Sequence, residues 1–596
     1  MAVTVKNFNL RDLKKNLLRS LSLLWQTSKP LALLSLFLQI MQALIPVVTL
    51  YFIKLLIEKV TSQQHNFNEI LHVIIYFLLA QLLLALIQQY SVYITTIFQQ
   101  KLTDYLSQQV LQKAIRVEYE YYENPRYHDS LHLAQQQSLY RASNLLTYYN
   151  SFITSGFSLL FLLLFFISMQ SFFALLFITF SLPLAIVKWY YGIATMQQEK
   201  KLAPLDREAS YLHHILTGVE PAKETRVFGF GRFFIEKFSN IRQYIRLQKQ
   251  QLHKKLTRYS LVAEAAEIIA MAVIFAMLAK QAIENTITIG LFVVYIQGFQ
   301  SLQNNSKNFL QSLVQILQQR IFLQDLFLFL DMNTAEEKHT GSKAFPEIKK
   351  GLAINNLYFH YPQIDKPVLQ DISIQCQPGK IIAIVGENGS GKSTLIKILA
   401  KLYEANSGTI FFDEVALKSI ATEDYRKQTV FLFQDFEKYF FTIEENIVLG
   451  QPEPTKKEED IRTAATLSGA DKFVARLSKG YQTRMGRIFE GSEQLSGGEW
   501  QKIALSRVFY RNHASLIVLD EPTSALDANA EFDIFKQIKA IAANKMVILI
   551  THRLYNLKIA DYLYVMKEGR ITESGSFEEL IHKGGTFTHL YNMQQL

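Results

Sequence analysis

Six long apolar runs, at 31–57, 70–98, 152–169, 172–193, 259–279 and 289–309, constrain the fold of this 596-residue chain more than any other feature. Each reaches or approaches the roughly 20 residues a helix needs to cross a hydrocarbon layer. A backbone with no water to bond must satisfy its amides internally, so these runs are expected to be membrane-spanning helices. Buried helices of soluble domains rarely come in six such lengths. The first run begins about 30 residues in and is too long for the apolar core of a secretory signal, so it is expected to remain as a span.

Basic residues set the orientation. Lys6, Arg11, Lys14, Lys15, Arg19 and Lys29 precede the first run, whereas the short connections after the first, third and fifth runs carry few charges, such as Glu58, Lys59, Lys280 and Glu284. The N-terminus is therefore expected on the cytoplasmic side of the inner (cytoplasmic) membrane, and an even span count returns the C-terminal half there. The even-numbered connections, 99–150 and 194–258, are long and basic and are expected to continue the spans as helices into the cytoplasm.

Leu13, Leu17, Leu21 and Leu24 recur on one face of a helix before the first span, with Lys14, Lys15 and Arg19 on the other. That pattern suits an amphipathic helix lying against membrane lipid. Trp25 and the Trp189-Tyr190-Tyr191 cluster suit the interfacial ends of spans. The net charge of +10 is accounted for by basic residues beside anionic headgroups; no nucleic-acid recognition motif is present, and no nucleic-acid partner is expected. The single cysteine, Cys376, excludes an intramolecular disulfide framework. The polar segment 333–350, with Gly341, Pro346 and Glu336-Glu337-Lys338, reads as a linker. It divides an N-terminal segment 1–29 and an all-α membrane domain 30–332 from a C-terminal domain 351–596.

The C-terminal domain carries Gly386-Glu387-Asn388-Gly389-Ser390-Gly391-Lys392-Ser393-Thr394 between a strand-like run, 381–385, and a helix-like run, 395–403. A phosphate-binding loop requires that context. Glycines at positive φ turn successive N–H groups inward around an anion, and the following helix adds its positive end. Lys392 is placed for the β and γ phosphates of a nucleoside triphosphate and Ser393 for Mg²⁺. The plain alternative is a glycine turn before a helix.

Further motifs follow. The apolar strand 516–519 ends in Asp520-Glu521, which puts two carboxylates at the edge where the phosphate loop sits. Asp520 is expected to help hold Mg²⁺ and Glu521 to polarise the attacking water, although alone the pair also fits a helix N-cap. Leu495-Ser496-Gly497-Gly498-Glu499 precedes a helix-like run, 500–510, so Ser496 and the glycine amides sit where an anion is favoured. With Ser524-Ala525-Leu526-Asp527 and Thr551-His552-Arg553 in that order, the chain resembles the ABC ATPase family. Its N-terminal half resembles the membrane domain of exporter-type half-transporters.

The resemblance implies an α/β phosphate-loop ABC ATPase domain using ATP and Mg²⁺. It implies that Tyr361 stacks on adenine, Gln434 approaches Mg²⁺ and water, and His552 contacts the γ-phosphate. Glu490 matches an acidic residue that touches the cytoplasmic helices in exporters, and Asp527 one that links two nucleotide sites. Two departures stand out: Glu499 replaces the more usual glutamine, and the glycine usually found just before Glu490 is missing. One phosphate loop and one signature per chain imply a second half-transporter, here a homodimer with composite sites.

The bends around 122–127 and 213–220 are expected to dock the membrane half to the ATPase. Glu264 and Glu267, with Lys188, read as an acidic patch for a cationic or peptide cargo, or as internal ion pairs. Gln39, Gln42, Gln81 and Gln297 read equally as interhelical bonds. Gln434-Asp435-Phe436-Glu437-Lys438-Tyr439 looks like the corresponding stretch of lantibiotic-type peptide exporters. The function implied is ATP-driven export by alternating access of a peptide or other amphipathic molecule. Lipid flippases and multidrug exporters are the alternatives, and an ATP-gated channel or regulatory protein belongs to a different class.

Overall fold

The computed structural model describes residues 10–594 except 62–66, 124, 170, 220, 285, 320–325, 333–340, 363, 365 and 452–456. The chain forms two compact units, Met1–Ile115 with Pro125–Met332, and Arg116–Asn124 with Asn333–Leu596.

The first unit is helical. It comprises α1 (Leu10–Thr27), α2 (Lys29–Ala43), α3 (Ile45–Thr61), α4 (Phe67–Arg116), α6 (Pro125–Met169), α7 (Ser171–Thr217), α8 (Ala222–Val227), α9 (Gly231–Ile283) and α10 (Ile289–Gln318). The short helix α5 (Tyr119–Tyr122) belongs to the other unit. Pro46, which lacks an N–H and crowds the preceding turn, accounts for the break between α2 and α3. With 50 residues α4 is about 75 Å long, so the expected cytoplasmic extension is helical. The second bend falls at the end of the expected range, 213–220: α7 continues to Thr217 and α8 begins at Ala222, with Glu220 outside the described residues.

Among the described residues, four helical stretches are long and apolar enough to cross a membrane: Lys29–Thr61, Phe67–Arg116, Asn144–Ser168 and Gly231–Ile283. The run 289–309 is helical as α10, but Gln297, Gln300, Gln303, Asn304, Asn305 and Lys307 dilute it. The run 172–193 lies in α7, with the side chains of 172–185 outside the described residues.

Leu50, Leu162, Phe166, Ile274, Leu278, Tyr295 and Phe299 form the core where α3, α6, α9 and α10 meet. Gly298 permits this packing, because a Cβ there would come within 2.8 Å of Phe166 Cε2. Polar side chains join other helices, with Gln39 Nε2 donating to Ser91 Oγ at 3.1 Å and Gln81 Nε2 to Thr49 Oγ1 at 3.1 Å. Gln39 and Gln81 are thus interhelical bonds. The acidic patch is not bare: Lys188 lies 3.9 Å from Glu264 and Lys307 lies 3.8 Å from Glu267. Opposite charges leave water together at lower cost than either alone, which explains the pairing. On α1, Leu24 is buried and Arg19 forms a bidentate pair with Asp331 at 2.5 Å while lying over the Phe327 ring. The side chains of Leu13, Lys14, Lys15 and Leu17 lie outside the described residues.

The second unit holds two sheets. Strands β1 (Leu352–Phe359), β2 (Leu369–Cys376), β4 (Ser407–Phe412) and β5 (Val415–Ala416) form an antiparallel sheet in the order β2-β1-β4-β5. Strands β3 (Ile381–Gly386), β6 (Thr429–Leu432), β7 (Leu516–Asp520), β8 (Met546–Ile550), β9 (Tyr562–Lys567) and β10 (Arg570–Gly575) form the other, ordered β10-β9-β3-β8-β7-β6. From β9 to β6 its pairings are parallel. Every residue of β3, β7 and β8 is buried, as their unbroken apolar sequences require of strands covered on both faces.

The C-terminal part of the expected linker packs on this unit. Phe345 lies 5.0 Å from Phe412 between ring centroids, and Lys343 N donates to Ser419 O at 2.9 Å. Phe345 and Ile348 are apolar anchors within a polar stretch.

Candidate active site

Four adjacent parallel strands, β3, β8, β7 and β6, aim their C-terminal ends at one edge of the sheet. They present the phosphate loop, Thr551-His552, Asp520-Glu521 and, two residues past β6, Gln434. Open parallel sheets bind ligands at that edge because helix N-termini and loop amides converge there.

The phosphate loop has Gly386, Gly389 and Gly391 at φ 153°, 79° and 103°, and helix α11 (Lys392–Leu399) starts directly after it. A Cβ on Gly391 would fall 2.7 Å from Leu369 Cδ2 and 3.1 Å from Val368 O, so only glycine fits. Asn388 is exposed on the loop, and Ser390 is buried beneath it. Lys392 Nζ donates to the carbonyls of Gly386 and Glu387, both at 2.9 Å. Burial holds its ammonium below the usual range, opposed by Asp520 and Glu521. Ser393 presents an exposed side chain at the start of α11. Thr394 is buried, and its hydroxyl lies 3.0 Å from that of Tyr361, whose ring packs edge-on against Phe359 and Tyr403.

Asp520 is buried, and burial together with Glu521 pushes its carboxyl up to about 6 against the opposing pull of Lys392. Two adjacent carboxylates and an exposed serine hydroxyl are the oxygen donors that Mg²⁺ takes alongside phosphate. The cradle and the donors fit ATP and Mg²⁺. Glu521 is clamped, with His552 Nε2 2.9 Å from its Oε1 and Gln434 Nε2 donating to its Oε2 at 3.0 Å. Its backbone is left-handed at φ 49°, held there by the bond from its N–H to Ile550 O at 2.8 Å. Such conformations cost about 1–3 kcal/mol in non-glycine residues and concentrate at functional sites. The structure therefore brings Gln434, Glu521 and His552 together.

Ser496 caps helix α12 (Gly497–Tyr510). Its Oγ accepts from Glu499 N at 3.3 Å, and Glu499 Oε2 accepts from Ser496 N at 2.9 Å. Glu499 thus completes a capping box, a role a glutamine also fills. Gly498 lies against the next loop, where a Cβ would come within 2.9 Å of Ala525 O. Asp527 caps helix α13 (Ala528–Ile541), accepting from Ala530 N at 2.8 Å, a bond that holds its carboxyl below the usual range. Ser496, Gly497, Gly498 and Asp527 thus belong to one surface built from α12 and the loop 524–527. Glu490 is exposed in a turn.

Residues outside the motifs complete the unit. Glu123, packed with this unit, accepts from Lys397 Nζ at 2.6 Å and from the Tyr403 hydroxyl. Despite the opposing effect of burial, those donors hold its carboxyl below the usual range. Gln501 and Glu531 are also buried here. The spacing that could have revealed them is helical: Gln501 aligns with Ala504, Leu505 and Val508, and Glu531 with Ile534, Phe535 and Ile538.

A phosphate-loop ATPase unit fused to a helical membrane unit defines a nucleotide-driven membrane transport protein. Residues 369–524 match the family described as ABC transporter, and residues 31–306 match the ABC transporter transmembrane region. The chain is 30% identical over 572 residues to the subtilin transport ATP-binding protein SpaT of Bacillus subtilis, covering 95% of this chain and 92% of that one. It is 28% identical to the nisin transport ATP-binding protein NisT of Lactococcus lactis subsp. lactis, covering 97% and 96%. An ATP-dependent lipid A-core flippase of Haemophilus ducreyi is 33% identical over 56% of each chain. The fold matches that of a bacterial Atm1-family ABC exporter solved with ATP bound, with TM-score 0.77, 20% identity and coverage of 94% and 98%. The chain belongs to the ABC transporter family. It is a multi-pass membrane protein that couples ATP hydrolysis to export.

Proposed function

We propose that the chain is one half of a homodimeric exporter that moves a peptide across the cytoplasmic membrane by alternating access. In this reading the membrane domain, 30–332, has six spans, including the runs at 172–193 and 289–309, and both termini are cytoplasmic. The elbow segment is 1–29, the linker 333–350 and the ATPase domain 351–596. The observation that carries the reading is the clamp on Glu521 between Gln434 and His552 at the sheet edge shared with the phosphate loop. Near-full-length similarity to the subtilin and nisin transport proteins supports a peptide cargo.

Lys392 exchanges the carbonyls of Gly386 and Glu387 for phosphate oxygens, and Asn388, Gly389, Ser390, Gly391 and Thr394 shape the cradle around them. Tyr361 turns its ring to the adenine. Ser393, Asp520 and Gln434 would hold Mg²⁺, which would neutralise charge on the β and γ phosphates. Glu521 orients the attacking water and accepts its proton, while His552 steadies both Glu521 and the γ-phosphate. Ser496, Gly497, Gly498 and Asp527 face the nucleotide held by the second copy, so dimer closure reports nucleotide occupancy. The segment Arg116–Asn124, which packs with the ATPase unit while its flanking helices belong to the other, transmits that closure.

Uptake of a lantibiotic-class precursor peptide into inside-out vesicles tests the assignment. ATP-dependent accumulation that Glu521→Gln abolishes is expected. Phospholipid translocation with no peptide uptake would contradict it.

A further inference from the structure

Two buried polar side chains outside every motif join the signature helix, the loop 524–527 and the segment 551–553. Gln501 on α12 is 1% exposed. Its Nε2 donates to Glu521 O at 3.0 Å and to Ser524 Oγ at 3.2 Å, and its Oε1 accepts from Ala525 N at 2.7 Å. Glu531 on α13 is 2% exposed. Its Oε1 accepts from Thr523 Oγ1 at 2.7 Å, and its Oε2 accepts from Arg553 Nη1 at 2.6 Å and the Tyr555 hydroxyl at 2.9 Å. Arg553 Nη2 also donates to Ser524 O at 3.3 Å.

Both residues occupy positions where helical spacing calls for apolar side chains. Replacing a buried ionic or polar group by a well-packed apolar one is often neutral or stabilising, so stability alone does not account for an amide and a carboxylate there. Their bonds converge on the loops that carry the chemistry. Gln501 holds the main chain of Glu521, whose φ is left-handed, and Glu531 fixes the residue next to His552.

We propose that Gln501 and Glu531 are positioning residues, a polar strut that makes the signature helix, the loop 524–527, Glu521 and His552 of one chain move as a single body. The proposal rests on the composite-site reading above. Ser496 and Asp527 then face one nucleotide while Glu521 and His552 face the other. The strut passes the state of each site to its neighbour, as coupling through a rigid two-state element requires.

The test compares Gln501→Leu and Glu531→Gln with wild type and Glu521→Gln, as full chains in lipid nanodiscs. We expect kcat per folded dimer to fall at least about tenfold, since small misplacements at reacting groups cost up to about 100-fold. ATP affinity by equilibrium binding should change less than about twofold, and the Hill coefficient for ATP turnover should fall toward one. A merely structural role would lower the unfolding temperature while leaving kcat per folded dimer and the Hill coefficient intact, and that result overturns the proposal. If Glu531→Gln fails to fold, Thr523→Val and Tyr555→Phe each remove one bond to the same carboxylate. A graded loss of kcat supports the strut, and unchanged kcat in both overturns it. Wild-type turnover that persists in Glu521→Gln would refute Glu521 as the group whose placement the strut controls, and full turnover by a monomeric chain would refute the composite-site reading; either result overturns the strut.

Discussion

Asp520→Asn should stabilise the nucleotide-free protein while abolishing its activity. Asp520 is 5% exposed, and burial together with the adjacent Glu521 raises its pKa from an ordinary 3.8 to about 6. A rise of that size corresponds to about 3 kcal/mol, and relaxation of the surroundings around the buried charge reduces this to about 1–2 kcal/mol. Because the folded pKa lies above the unfolded one, the folded state holds its proton more tightly. The resulting stabilisation is complete below about pH 4 and lost as pH rises through about 6. At pH 8 the ionised carboxylate therefore works against folding, and an amide of the same volume removes that penalty. Without Mg²⁺ and nucleotide, the transition of the ATPase unit should occur about 2–6 °C higher in the variant at pH 8, with the gap closing near pH 4.5. Calorimetry of the full chain in nanodiscs measures this. Saturating Mg²⁺ and ATP should reverse the order, since only the wild type gains full ligand stabilisation. A variant destabilised equally at both pH values would refute the electrostatic reasoning.

Three other perturbations have defined outcomes. Glu123→Gln loses the charge that pairs with Lys397 at 2.6 Å; about 1 kcal/mol of anchoring is about fivefold in docked population, so cargo-stimulated ATPase should fall about fivefold with basal turnover retained. Gly391→Ala, at φ 103° and against Leu369, should weaken ATP binding more than about tenfold, read by equilibrium binding. Lys307→Met leaves Glu267, 7% exposed, without its cation, and should cost about 3 kcal/mol; adding Glu267→Met should restore most of the lost thermal stability.

Features encoded in short contiguous stretches were legible in the sequence. The phosphate loop carries its own glycines, and β3, β7 and β8 announce burial by unbroken apolar runs. Asp520 and Glu521 follow directly from the end of β7, but their meeting with Gln434 and His552 depends on the strand order, which local spacing does not contain. The same limit hid the Glu123–Lys397 pair, whose partners are separated by 274 residues. The expected linker concealed Phe345, whose value lies in a distant contact with Phe412. Internal pairing of Glu264 with Lys188 was one of the readings the sequence left open, whereas the partner of Glu267, Lys307, stands on another helix that local spacing does not connect to it. Gln501 and Glu531 were the most accessible omissions, since each breaks an apolar helical stripe.

Steady-state ATPase activity of this chain alone in lipid nanodiscs, measured beside Glu521→Gln, tests the central claim most directly. Turnover is expected from the wild type, with loss of turnover in the variant and ATP retained in a closed dimer of the variant. Undiminished turnover in Glu521→Gln, or a folded wild type that hydrolyses nothing without a different partner chain, would contradict it.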